Sequence, residues 1–451
     1  MNFFGFVGGE FTGSSRARSK FLILLFITLI ASSLSSQASA DCDVPVGRFV
    51  DIHGQVETQD ADAESWSNAS LDTALCEGSS IRVGAKSRAA ITLVNDAVLR
   101  LDENTTMRLV NITEEEEEQS LLDIIKGALH SFSRKPKKLM VNSPYLNGSI
   151  EGTEFVFRVT DDQSELTVFE GTVVAANDQG SVPVSVGEAA SASAGQAPQA
   201  RTLVRPRDTA QWSLYYPPIF ATGGDGSTGV SPALQQAAAD LAAGRVDQAR
   251  PKLDQAIAED SDAGLAHALR AVVNVVQNQL EQALADGNQA VNLNPDSAAT
   301  YVALSYAQQA NFQISEARDT LLQAVGKQPE KALGWARLAE LHLMLGDKQE
   351  ATEAAQKAAE LAPKLGRTQI TLGFTALAEF RAADAQTAFE KAIMLDSADP
   401  LPHLGLGLSK ISMGELEQGR GEIEVAVGLG SNDALLRAYL GKAYFEEKRA
   451  P

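Results

Sequence analysis

Residues 332–365 read ALGWARLAELHLMLGDKQEATEAAQKAAELAPKL, and these 34 residues are one beat of a longer rhythm. Ala351 has counterparts at steps of 34 residues: Ala249, Ala283 and Ala317 before it, Ala385 after it, and Gly419 in the sixth place. Seven residues later a second register keeps step, as Ala256, Ala290, Ala324, Ala358, Ala392 and Ala426. Leu304, Leu338, Leu372, Leu406 and Leu440 hold the same interval, and Pro295, Pro329 and Pro363 fall twelve residues after Ala283, Ala317 and Ala351. A fixed period of this length implies one supersecondary unit stacked on itself. Small residues such as Ala317 and Ala324 let two antiparallel helices approach, and Leu304 and Leu321 fill the seam between them. The proline cannot continue a helix, so it closes one unit before the next begins.

These alanine, leucine and proline positions resemble the tetratricopeptide (TPR) repeat over residues 230–451. The resemblance implies an α-solenoid of six repeats (230–263, 264–297, 298–331, 332–365, 366–399 and 400–433) with a capping helix at 434–451. On the family's pattern, groove-facing residues fall at the second, fifth, ninth and twelfth places of each repeat. Here the fifth place includes Val302 and Ile370, the ninth Val272, Tyr306, Glu340, Phe374 and Leu408, and the twelfth Val275, Leu377 and Ile411. That lining is apolar with one charge, Glu340. The Lys, Arg and Asn of the clamp that grips peptide carboxylates are missing, so that activity is not carried over. A groove with Tyr306 and Phe374 suits an amphipathic helix or an extended apolar peptide. The competing reading is that a segment of the same chain fills it.

Residues 44–188 follow a different rule. Short runs alternate apolar and polar residues, as in Ala89 to Val94, Val98 to Leu101, Phe155 to Val159 and Leu166 to Val174. Gly and Asn/Asp punctuate them, which predicts an all-β domain of many short strands. Its landmarks, in order, are Gly54-Gln55-Val56, Trp66, Gly78, Ile81-Arg82-Val83-Gly84, Ser87-Arg88-Ala89, Leu99-Arg100-Leu101, Gly152-Thr153-Glu154-Phe155, Glu170-Gly171-Thr172-Val173 and Gly187-Glu188. This series resembles the FecR domain family and places the domain at residues 41–188. The best-known FecR proteins are single-pass regulators that pass a signal from an outer-membrane receptor to a cytoplasmic sigma factor. Only 20 residues precede Phe21 here, so the match is to the extracytoplasmic module alone. The fold class is therefore β followed by all-α, in two domains.

The chain has 451 residues and a formal net charge of −20, which disfavours nucleic acid and anionic membrane surfaces as partners. Arg16, Arg18 and Lys20 precede an apolar run from Phe21 to Ala31, and Ala38-Ser39-Ala40 follows as a small-x-small site. That order predicts a signal peptide over residues 1–40, cleaved near Ala40, and a periplasmic, cell-surface or secreted protein with no span left after cleavage. The alternative is that Phe21 to Leu34 is retained as an anchor. Two cysteines, Cys42 and Cys76, predict a disulfide in an oxidising compartment. The five histidines stand at no metal-ligand spacing, so neither metal nor cofactor is expected. No phosphate loop or nucleophile motif is present.

Glu114 to Glu118 and Arg134-Lys135-Pro136-Lys137-Lys138 read as two solvated hairpin tips. Residues 189–229 read as a linker. Ala189 to Ala200 is too poor in bulky residues to pack, and Ala221 to Gly229 reads as a flexible joint. Between them, Trp212 to Phe220 is dense in aromatics and stiffened by two prolines. It packs on the first repeat, completes the β domain or docks on a partner. The functional expectation is a non-enzymatic, exported interaction scaffold that holds a protein or peptide partner of the cell envelope. The alternatives are an anchored regulator of the FecR type and an enzyme whose carboxylate pair is hidden in the sequence.

Overall fold

The computed structural model describes residues 42–449 except 43, 72, 114–117, 221–229 and 260–262, with backbone alone at 134–137, 152, 153 and 449. The signal-peptide segment 1–40, the glutamates 114–117 and the joint 221–229 therefore lie outside the described residues.

Alternation builds the first half. In Thr106–Asn111, Met107 and Leu109 turn inward while Arg108 turns to solvent, as a strand with one face on a core requires. Fourteen strands form one antiparallel sheet among the described residues. Its main path runs Gln199–Thr202, Glu188–Ser193, Gln163–Asn177, Asn147–Val159, Ser120–Asn142, Val98–Leu101, Arg88–Leu93, Gly47–His53 and Ala74–Leu75. The long strand Ser120–Asn142 also pairs with Thr106–Asn111, so the sheet folds over a core of Phe49, Ile81, Ile91, Leu99, Met107 and Leu122. Gly127, at φ +93°, sits beside the register shift where that strand bends; a β-carbon there would collide with Thr105. Cys42 and Cys76 form the expected disulfide.

Two expectations fail here. Residues 189–202 are not a linker, because Glu188–Ser193 and Gln199–Thr202 extend the sheet. Ala189, Ala190 and Ala192 are small enough to be buried against Gln163–Asn177, whose backbone supplies the pairing. Likewise 134–138 is no hairpin tip: its backbone continues the strand Ser120–Asn142, with a register shift opposite Gly152 and Glu154.

The second half is helical throughout. Six pairs follow one another: α1 Pro232–Ala242 with α2 Val246–Glu259, α3 Ala263–Val276 with α4 Leu280–Leu293, α5 Ala298–Ala310 with α6 Ile314–Lys327, α7 Ala332–Leu345 with α8 Lys348–Leu361, α9 Gly366–Ala378 with α10 Ala382–Leu395, and α11 Pro400–Ser412 with α12 Leu416–Leu429. A last helix, α13 Ala434–Arg449, closes the stack. The two alanine registers lie in the pair seams, where Ala283, Ala290, Ala317, Ala324, Ala351 and Ala358 are wholly buried.

Residues Cys42 onward form one compact unit. Helix α12 is the weld. Val425 and Leu429 pack with Val50 and Ala90 of the sheet, and Gly428 lies so close that a β-carbon would collide with Val98. Buried Arg100 donates to the Leu429 carbonyl at the α12 C-terminus, where backbone acceptors lack helical partners. Phe132 enters a cluster with Leu404, Ile423, Val427 and Leu440.

Candidate functional site

The groove residues named from the repeat pattern are all on the first helices of their pairs, and none is exposed. Val272, Val302 and Ile370 are buried; Val275, Tyr306, Glu340, Phe374, Leu377, Leu408 and Ile411 are half-buried. The structure gathers them into separate groups. Val272, Val302 and Tyr306 share a cluster with Leu214, Tyr216, Ile219 and Phe220, so the aromatic segment before the repeats packs on the concave side of the first three. Its two prolines hold an extended course that no helix could follow. Ile370, Phe374 and Leu377 pack around Phe389, with the Phe374 and Phe389 rings edge to face at 4.9 Å. Leu408 and Ile411 join the cluster that Phe132 enters from the sheet.

Between these apolar groups lies a charged knot that sequence reading missed. Glu340 is held by Arg367 Nε at 2.6 Å and Arg337 Nη1 at 2.7 Å, and Arg367 reaches on to Asp399 at 2.8 Å. The Arg337 guanidinium also stacks over the Tyr306 ring at 4.0 Å. Burial by itself raises the Glu340 carboxyl, but Arg367 and Arg337 outweigh it and hold the group below the ordinary carboxylate range. Arg367 stands at the second place of its repeat, a groove place in the same pattern, so its sequence carried the signal. Arg337 and Asp399 stand at no such place and carried none.

A cavity of about 490 Å³ opens beside this knot. One wall is the sheet (Asp51, Ile52, Arg88), one is Tyr215 to Phe220, and one is the concave side of the repeats, including Leu241, Leu269, Leu333 and Arg367. Polar bonds tie the walls together. Ser397, between the fifth and sixth repeats, donates to Asp51 at 2.9 Å, and the Tyr215 hydroxyl donates to Asp396 at 3.0 Å. Burial, then Asp399 and Asp396, pushes the Tyr215 hydroxyl well up, so it stays a donor. Among the described residues no group of His, Cys, Asp or Glu could hold a metal ion, and no helix is long and apolar enough to cross a membrane.

Residues 79–174 match the family described as FecR protein, and residues 234–298 and 332–365 match tetratricopeptide repeat families. No curated protein matches the chain. Among solved structures, the chain is similar to one in the APC/C hetero-tetramer Cut9-Hcn1, at 14% identity over 48% of this chain and 42% of that one, TM-score 0.42. A thermophilic TPR protein of Thermus thermophilus is similar at 18% identity over 40% of this chain and 99% of its own, TM-score 0.36. A putative anti-sigma factor from Parabacteroides distasonis is similar at 17% identity over 31% and 67%, TM-score 0.27. The chain thus spans under half the length of the first of these.

Proposed function

We propose that this chain, which joins a FecR module to tetratricopeptide repeats, is an exported, non-enzymatic scaffold that holds a protein partner in the cell envelope. Its FecR module gives that scaffold a signalling-related role. Export is supported by the Cys42–Cys76 disulfide, a bond of oxidising compartments.

The observation that carries the reading is how unevenly the concave face is covered. Its first part, around Val272 and Val302, is occupied by the chain's own aromatic segment. Further along, Leu377, Leu408 and Ile411 remain half-buried, the last two in a cluster with Tyr439 and Tyr444. These side chains offer apolar anchors at helical spacing to an amphipathic helix or extended peptide, with the stack as a rigid support.

The test is crosslinked capture by the mature protein in fractionated cells, comparing wild type with Ile411→Glu. The substitution should abolish the crosslinked species, and a circular-dichroism spectrum like that of wild type checks that the variant is folded even where its melting point is lower. Undiminished capture by a folded Ile411→Glu protein would contradict this assignment of the surface.

A further inference from the structure

The turns inside the helix pairs line one edge of the stack, at the helix ends and apart from the concave face. Each has a residue of positive φ at the 34-residue interval, and at four of the six it is glycine or asparagine, which adopt that conformation most easily. The other two are Phe312 (φ +62°) and Phe380 (φ +60°). Phenylalanine is strained there, and strain of this kind persists at places that serve a function. Burial within the chain does not offset it, because the two residues are 90% and 91% exposed.

Their placement is symmetric. Gly346, the equivalent residue of the repeat between them, lies 34 positions from each, and a β-carbon on it would meet nothing within 4 Å. The first helices α5, α7 and α9 pack side by side at about 8–10 Å, so the two phenylalanines stand about 20 Å apart astride an open glycine. A twofold axis through Gly346 brings Phe312 onto Phe380 of a second copy, and Phe380 onto its Phe312. Residue i then meets j while j meets i, which is the condition for a closed dimer. The bare glycine lets the two edges approach at the axis, and exposed Met344, two residues before it, supplies an adaptable apolar filler.

Size and charge set the strength. A phenylalanine buries about 150–250 Å², so four across the axis give about 600–1,000 Å², short of the roughly 1,200 Å² at which stable interfaces begin. Each of the three turns has two acids to one cation, as Glu379 and Asp384 around Arg381. Two such edges repel weakly, and added salt screens that repulsion.

We propose that this edge is the interface of a weak homodimer, with Phe312 of each copy packed on Phe380 of the other about an axis at Gly346. The proposal does not depend on the groove reading, because the groove residues lie on another face. The dimer would present two grooves, and so hold a divalent partner more tightly than one chain does.

Sedimentation velocity of the protein from Cys42 onward, between about 1 μM and about 1 mM, tests it. Wild type should pass from monomer to twice that mass and no further, at lower concentration in higher salt. Phe312→Asn and Phe380→Asn suit the positive φ, so each variant should melt no lower than wild type. Each should weaken the dimer at least about tenfold, and to the same extent, since either change removes both contacts. Mixing the two variants should recover part of the dimer, because the mixed pair regains one Phe–Phe contact. A monomeric wild type across the whole range overturns the proposal, as does a variant that dimerises as tightly as wild type or a mixture that recovers nothing. Monomers that bind phosphatidylcholine vesicles through Phe312 and Phe380 would overturn it in favour of a lipid surface.

Discussion

Glu424 and Glu422 are two residues apart on α12, and their surroundings drive them in opposite directions. At Glu422, burial is outweighed by His403 at 2.9 Å, Lys410 at 3.0 Å and Arg48 of the sheet, and the carboxyl is lowered to about 2. At Glu424, burial and then Asp96 prevail over Arg420, and the carboxyl is raised to about 6. The signs differ accordingly. Glu422 contributes stability that is present above its ordinary pKa and is lost as pH falls towards 2. Glu424, whose folded form favours the proton, withdraws stability as pH rises from about 4.5 through 6. Glu424→Gln should therefore stabilise the protein at pH 7.5 by about 1–2 kcal/mol, a gap that closes at pH 4.5. Thermal melts of both proteins at the two pH values check this; an equal or lower melting point for the variant at pH 7.5 contradicts it. None of this was legible in sequence, where Glu422 and Glu424 are two among 58 acidic residues. Which carboxylates meet cations depends on the sheet that α12 touches.

At the scale of elements, the turn inside each helix pair shows how a repeat can override its residues. Gly244, Asn278, Phe312, Gly346, Phe380 and Gly414 stand 34 residues apart and all take positive φ. Glycine and asparagine suit that conformation, but phenylalanine does not. Phe312 and Phe380 are held there by the pairs on either side, the two residues being 90% and 91% exposed. The period was readable because seams and turns repeat the same packing. The strands at 189–202 were not readable, because alanine and serine pack only when a neighbouring strand presents itself. The glycines of α12 make a sharper test. Gly421 faces open space, whereas Gly428 abuts Val98. Gly421→Ala should stabilise by up to about 1 kcal/mol through helix propensity. Gly428→Ala gains the same propensity but must displace Val98, and should destabilise by about 1–3 kcal/mol. Denaturant melts of the two variants decide it, and equal shifts would mean that α12 does not press on the sheet.

For the whole molecule, the sequence reading divided the chain into a β domain, a linker and a solenoid. The two folds were legible because alternation and the 34-residue period are local patterns. Their union was not. It rests on a glycine at the contact, on Phe132 and Arg100 reaching the last repeats, and on an aromatic segment laid along the first repeats. No periodicity reports contacts between residues more than 300 positions apart, such as Arg100 with Leu429. The residues named for the groove lie on the first helices of their pairs, and part of their cover comes from elsewhere in the chain.

The central claim is that sheet, aromatic segment and repeats share one core. Differential scanning calorimetry of the protein from Cys42 onward tests it most directly. The account predicts a single endotherm whose calorimetric and van 't Hoff enthalpies agree, and which Gly428→Leu lowers as a whole. Two endotherms, one of them unmoved by Gly428→Leu, would contradict it.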